Sequence, residues 1–221
     1  MKLIHSITSL LFPPKCVLCG KLLVKEETDL CHTCRCDTQE FPKQHIKLPY
    51  LAQWTALWYY EGNVRKSILR FKFRGARSHA QIYGRLLAMK LLTEDISFDI
   101  LSWVPISKLR KWRRGYDQVQ LIAEAAGKEL GVDAQRTLIK RRNNRPQSRL
   151  GNASQRRANV MGVYTVADPD AVRGKRILLL DDIMTTGATA GECARVLLTA
   201  GATDVVCATV AAASHQQKNR R

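Results

Sequence analysis

A chain of 221 residues suffices for one α/β domain of moderate size with a small appendage, and 45% apolar residues is the content of a globular protein. No apolar run approaches the length of a membrane-spanning helix, which sets aside an integral helical membrane protein. The formal net charge of +17 suits anionic partners (nucleic acid, an anionic membrane surface or a polyphosphate ligand), and residues 108–157 concentrate it, with 14 Lys and Arg against 4 Asp and Glu.

The N-terminal residues 1–14 read as an amphipathic helix with Leu3, Ile7, Leu10 and Leu11 on one face, ending at Pro13 and Pro14. A secretion signal fits poorly: the apolar run is short, His5 interrupts it, and no small-residue cleavage site precedes the prolines. A cytoplasmic location is therefore the default expectation. Cys16, Cys19, Cys31 and Cys34 follow as two C-x2-C pairs separated by eleven residues. Two such knuckles converge readily on one tetrahedral, structural Zn2+ with no open position for water. Disulfides and unrelated free thiols are the alternatives, and His32 and Cys36 are further ligand candidates. Residues 1–45 form this module, and the metal would supply much of its folding energy.

Residues 38–49 read as a polar, proline-bounded linker to a second unit spanning 50–215. There, residues 53–60 make a strand rich in β-formers, 61–63 a turn with Asn63 as helix cap, and 64–73 a helix stopping at Gly75. A helix over 79–92 carries Ile82, Leu86, Met89 and Lys90 at helical spacing, with His79 as a solvated residue at its start. Residues 100–104 are a buried strand ended by Pro105. The segment 108–118 interleaves Lys108, Arg110, Lys111, Arg113 and Arg114 with Trp112 and Tyr116, a composition that suits nucleic acid or a diphosphate, or else a solvated loop. A helix over 119–130 ends at Gly131, and 136–139 is a short strand.

Residues 140–160 hold few apolar side chains and many amides and arginines, Arg141 and Arg142 among them. They read as a loop without regular structure, either disordered or a lid over an anionic ligand. Strands over 164–166 and 204–210 flank the stretch KRILLLDDIMTTGATA at 175–190. Ile177, Leu178, Leu179 and Leu180 suit a strand covered on both faces. Asp181 and Asp182 stand at its end. Thr185, Thr186, Gly187, Ala188 and Thr189 form a loop able to wrap an anion at the start of a helix from about 189 to 200. The carboxylates would repel a phosphate, so they face sugar hydroxyls or a metal; a phosphorylated sugar satisfies both halves. A Walker B strand is the competing reading, but no GxxxxGK[ST] loop accompanies it. Cys193 and Cys207 read as core thiols.

LLLDDIMTTGATA resembles the 5-phosphoribosyl-diphosphate (PRPP) signature of type I phosphoribosyltransferases. Taken with the four cysteines, Val104-Pro105, Arg110, Arg114-Gly115-Tyr116, Gln118, Pro146-Gln147, Leu150, Arg156 or Arg157 and Asn159-Val160, nearly the whole chain is similar to the ComF family. Asp117 departs from the pattern, where Asn is more usual. The resemblance implies an α/β fold: a type I phosphoribosyltransferase-like parallel sheet flanked by helices, with a small N-terminal zinc-binding module. It implies that Asp181 and Asp182 hold the ribose hydroxyls and act as the catalytic pair, that Thr185, Thr186, Gly187, Ala188 and Thr189 cradle the 5-phosphate, and that Lys108 and Arg110 lie near the diphosphate. Mg2+ would bridge diphosphate and ribose oxygens. Single-stranded DNA is the implied macromolecular ligand, on Arg110, Lys111, Trp112, Arg113, Arg114, Arg141 and Arg142, in natural transformation with competence or DNA-processing proteins as partners. The alternative is an active phosphoribosyltransferase for a nucleobase or another small acceptor in nucleotide metabolism.

Overall fold

The computed structural model describes residues 13–42, 47–144 and 153–214. The expected N-terminal helix, the Pro146–Leu150 part of the basic loop and the tail from His215 lie outside these residues. Four strands make a parallel sheet in the order β1-β6-β5-β2: β1 (Gln53–Tyr59), β2 (Ile100–Trp103), β5 (Arg176–Met184) and β6 (Asp204–Ala212). The run Ile177 to Leu180 is fully buried in β5, between β6 and β2, as its uninterrupted apolar character demands. A separate antiparallel pair joins β3 (Leu138–Lys140) to β4 (Tyr164–Val166). The expected strand at 136–139 thus begins later, because Leu138 is buried while Arg136 is exposed.

One face of the sheet carries α2 (Gly62–Phe73), α3 (His79–Thr93) and α5 (Gln118–Leu130), packed around Leu178, Leu180, Val206 and Ala208. The other face, around Ile177, Leu179, Val205 and Cys207, is covered by the short α7 (Pro169–Val172), α8 (Ala188–Thr199) and the β3–β4 pair. The cysteine module, with α1 (His32–Asp37), belongs to the first face: Cys16, Val17, Leu18, Leu30, Cys31 and Cys34 share its core with Leu57, Trp58 and Ile68. The carbonyl of Val17 accepts from Ser67 and Arg70, and that of Leu18 accepts from Arg70 at 2.7 Å. Asp29 takes the Arg85 guanidinium in a two-pronged ion pair.

Several local expectations change. Asn63 does not cap α2; the helix starts at Gly62, and the Asn63 amide donates to Cys34 Sγ at 3.9 Å. The buried side of α3 is Ala80, Tyr83, Gly84, Leu87, Ala88 and Leu91, while Ile82 and Leu86 flank it and Met89 is exposed. Small residues line that side because α5 approaches closely: a Cβ on Gly84 would stand 2.5 Å from Ala125 Cβ and 2.6 Å from Ala126 N. His79 is not solvated; its ring stacks on Phe71 and abuts Tyr83, and burial pushes its pKa down to about 4. The linker is partly structural as well. Phe41 is buried against Trp54 and Tyr59, and its N–H donates to the Leu57 carbonyl. The 140–160 stretch is not a continuous loop, since Lys140 closes β3 and residues 153–160 form α6 (Ala153–Val160). Cys193 and Cys207 are wholly buried, as expected.

Candidate functional site

The sulfurs of Cys16, Cys19, Cys31 and Cys34 all lie within 4.8 Å of one another. Cys19 Sγ and Cys31 Sγ are 3.6 Å apart, far beyond a covalent S–S bond and close to the ~3.8 Å expected between ligands of one tetrahedral zinc. Burial raises the Cys16 thiol, but amide groups of Cys19, Cys31 and Leu18 outweigh it and bring the pKa down to about 7, the environment of a thiolate ligand. The four-sulfur set therefore fits the ion. His32 and Cys36 stand outside it, exposed on α1 and facing each other with 3.7 Å between Cys36 Sγ and His32 Nε2.

At the C-terminal end of the sheet the strands stop at staggered heights. Val104 N–H still donates to the Leu180 carbonyl, so β2 ends just below the acidic pair and Pro105 turns the chain across it. Ser107 then caps α4 (Lys108–Arg114), accepting from Arg110 N–H, and Gly115 ends it in the left-handed region. The next helix, α5, is capped by Asp117, whose buried carboxylate accepts from Val119, Gln120 and Ile106 amides. The unusual aspartate is thereby spent on backbone donors rather than left beside the basic residues. A cleft of about 710 Å³ opens here. Asp181, Asp182, Thr185 and Thr189 form one wall, Arg110, Arg113 and Arg114 another, and Lys72, Lys140 and Arg156 reach in from the sides.

Strand alternation sends the two carboxylates to opposite faces. Asp182 follows Leu178 and Leu180 toward α2 and pairs with Lys72 Nζ at 2.8 Å. Asp181 follows Ile177 and Leu179 toward α8 and accepts from Asp182 N–H at 2.8 Å. Burial, with the Asp182 charge second, pushes Asp181 up to about 8, against the pull of its neighbour's amide, Lys72 and Lys140. Lys140 donates to Tyr164 Oη at 3.0 Å and sits 4.9 Å above that ring. Burial, then Arg110, draws Lys140 down to about 8. Two carboxylates facing apart, one already paired with an ammonium, do not make a divalent-cation site. Magnesium fits here only as a companion of an anionic ligand.

The loop after β5 turns tightly into the next helix, and Thr185 of the loop and Thr189 of that helix line the cleft. Gly187 has φ +74, and a Cβ there would also meet Leu48 Cδ1 at 3.0 Å. Gly187 precedes α8, which starts at Ala188. Among the described residues, buried Thr186 Oγ1 has no hydrogen-bond partner. Of the remaining expected residues, Lys108 does not line the cleft. It lines an adjoining cavity of about 460 Å³ with Arg141 and Arg142, and the two spaces share Lys140. Lys111 and Trp112 line neither space; Trp112 is 81% exposed. Lys72, Lys140, Tyr60 and Tyr164 were not foreseen. The first two read in the sequence as ordinary helix and loop cations, and only the chain's return past the acidic pair reveals them.

Comparison with known proteins agrees with this fold. The phosphoribosyl transferase domain family matches residues 121–221, and the double zinc ribbon domain family matches residues 7–46. Competence protein F of Haemophilus influenzae is 25% identical over 86% of this chain and 93% of its own length. DNA utilization protein YhgH of Salmonella typhimurium is 28% identical, covering 86% of both chains. Competence protein ComFC of Streptococcus pneumoniae is 30% identical over 81% of this chain and 74% of its own. Among solved structures, glutamine phosphoribosylpyrophosphate amidotransferase from B. subtilis is similar over 61% of this chain and 26% of that one, at 23% identity and a TM-score of 0.41, too distant a likeness to bear on function. The identity with ComFC, kept across most of both chains, makes this chain a member of the ComF family.

Proposed function

We propose that the chain binds PRPP in the cleft at the end of the sheet and serves the handling of incoming DNA in the cytoplasm. The observation that carries this reading is the meeting, in one cleft, of a carboxylate pair, a threonine-glycine loop at a helix start and three arginines of α4. The loop, with the free Thr186 hydroxyl, suits the 5-phosphate. Asp181 and Asp182 suit ribose hydroxyls. Arg110, Arg113 and Arg114 suit the diphosphate, with Arg156 facing them from α6. Magnesium would arrive on the ligand's own diphosphate and ribose oxygens. Names of relatives in competence and DNA utilization support the cellular role.

If the site is also an enzyme, the reaction is displacement at the ribose anomeric carbon. An acceptor atom bonds to that carbon while its bond to the diphosphate oxygen breaks, and the electron pair leaves with the diphosphate. The arginines would stabilise that departing charge, and the carboxylates would hold the ring as it becomes oxocarbenium-like. A second reading, single-stranded DNA binding, is favoured by a specific surface. Exposed Trp112 lies between Lys111 and Arg113 on α4, the helix whose first residue, Lys108, lines the cavity of Arg141 and Arg142. That is a stacking platform beside phosphate-binding charge. Calorimetry with PRPP and magnesium tests the first reading: saturable heat is expected, and none at millimolar PRPP removes it.

A further inference from the structure

We propose that Lys72 and Lys140 are the positioning residues of the acidic pair: the Lys72 ammonium brings to Asp182 the positive charge that a divalent cation would otherwise bring, and Lys140, from the other face of the sheet, offers a donor to the ligand in the cleft that Asp181 lines. The inference rests on the ribose-phosphate reading of the cleft and goes beyond it by assigning the counter-charge to the chain itself.

Lys72 leaves the last turn of α2 and places Nζ 2.8 Å from Asp182 Oδ1, with both side chains largely buried at 16% and 12% exposure. Lys140 leaves the end of β3 on the other side, is fixed by Tyr164 Oη at 3.0 Å, and lines the same cleft as Asp181. Arg114 and Tyr60 also lie near Asp182, and Arg110 lies near Lys140. A sugar hydroxyl seated on these groups donates its proton to a carboxylate and accepts from an ammonium, so both of its polarities are met without a metal. A magnesium ion would first have to displace Lys72 from Asp182 and lose water, which it does reluctantly. The Lys72 ammonium also offsets the repulsion that a bare Asp182 carboxylate would exert on the ligand's phosphates.

The test is calorimetric titration of the full, zinc-loaded chain with ribose 5-phosphate, which lacks the diphosphate that carries magnesium. Affinity in EDTA-free buffer with magnesium and in magnesium-free buffer should agree within about twofold. Lys72→Met should weaken magnesium-free binding by about tenfold or more, with magnesium restoring part of it, while Lys72→Arg should retain binding. Lys140→Met provides the same comparison from the opposite face, should Lys72→Met fail to fold. Wild-type binding that requires magnesium, or Lys72→Met and Lys140→Met binding like wild type, overturns the proposal. In that event PRPP binding with magnesium would persist. Loss of both PRPP and ribose 5-phosphate binding would instead overturn the ribose-phosphate reading beneath it.

Discussion

Thr186 and Asp181 are the side chains whose environments say most about a ligand. A buried hydroxyl without a partner is a cost the fold carries, so Thr186→Val should leave stability within about 1 kcal/mol of wild type or raise it. The same change should weaken PRPP several-fold, and denaturant melts beside calorimetry separate the two effects. Asp181 keeps its proton up to about pH 8 in the folded chain, against 3.8 for an ordinary aspartate. Between those values the folded chain binds more protons than the unfolded one, so stability falls as pH rises through that window. Lys140, drawn from 10.5 to about 8, acts oppositely: from pH 8 to 10.5 the unfolded chain binds more protons, and stability climbs. Asp181→Asn should therefore flatten the falling limb and widen the rising one. Equilibrium denaturation at stepped pH reads both slopes, and an unchanged falling limb would contradict the burial of that carboxylate.

At the level of elements, the α3–α5 crossing is the tightest constraint. Gly84→Leu must push backbone away from backbone, and we expect a loss of about 1–3 kcal/mol in denaturant titration, with the zinc site intact. This crossing also shows where sequence reading reaches its limit. A run such as Ile177 to Leu180 announces a doubly covered strand because burial on both faces leaves no polar option. The helix end at Gly131 is equally legible, since glycine takes the left-handed φ of +71 there without strain; the short helix ended by Gly115 is not, because its basic run reads as a ligand-binding segment or solvated loop. The buried face of α3 is not legible, because glycine and alanine carry no apolar signal although they are what the crossing requires. Lys72 and Lys140 were hidden for a related reason. Nothing in a helix-end lysine or a strand-end lysine tells which distant carboxylate the topology will bring to it. The carboxylates and the phosphate loop, contiguous in sequence, were readable together; their counter-charges, 110 residues apart for Lys72 and Asp182, were not.

Over the whole molecule, the +17 charge is arranged rather than spread. The cleft and the adjoining cavity form one continuous basic region joined at Lys140. Single-stranded DNA should bind with an affinity that falls steeply with salt, and Arg141→Ala with Arg142→Ala should reduce the logarithmic salt slope by about 0.7 per lost phosphate contact. An affinity flat from low to high salt would remove the electrostatic account. Asp182→Asn should not lower that slope, because it removes no cation and leaves the Lys72 ammonium without its carboxylate.

The knuckle carbonyls of Val17 and Leu18 rest on Ser67 and Arg70, two to five residues before Lys72 on the same helix. The consequence concerns how the chain can be divided. A fragment beginning at Leu48 would strip Val17, Leu18 and Leu30 from Leu57, Trp58 and Ile68, and leave those side chains facing water. Such a fragment should aggregate or bind a hydrophobic dye where the whole chain does not. A soluble, dye-silent fragment would show instead that the ribbon is a passenger.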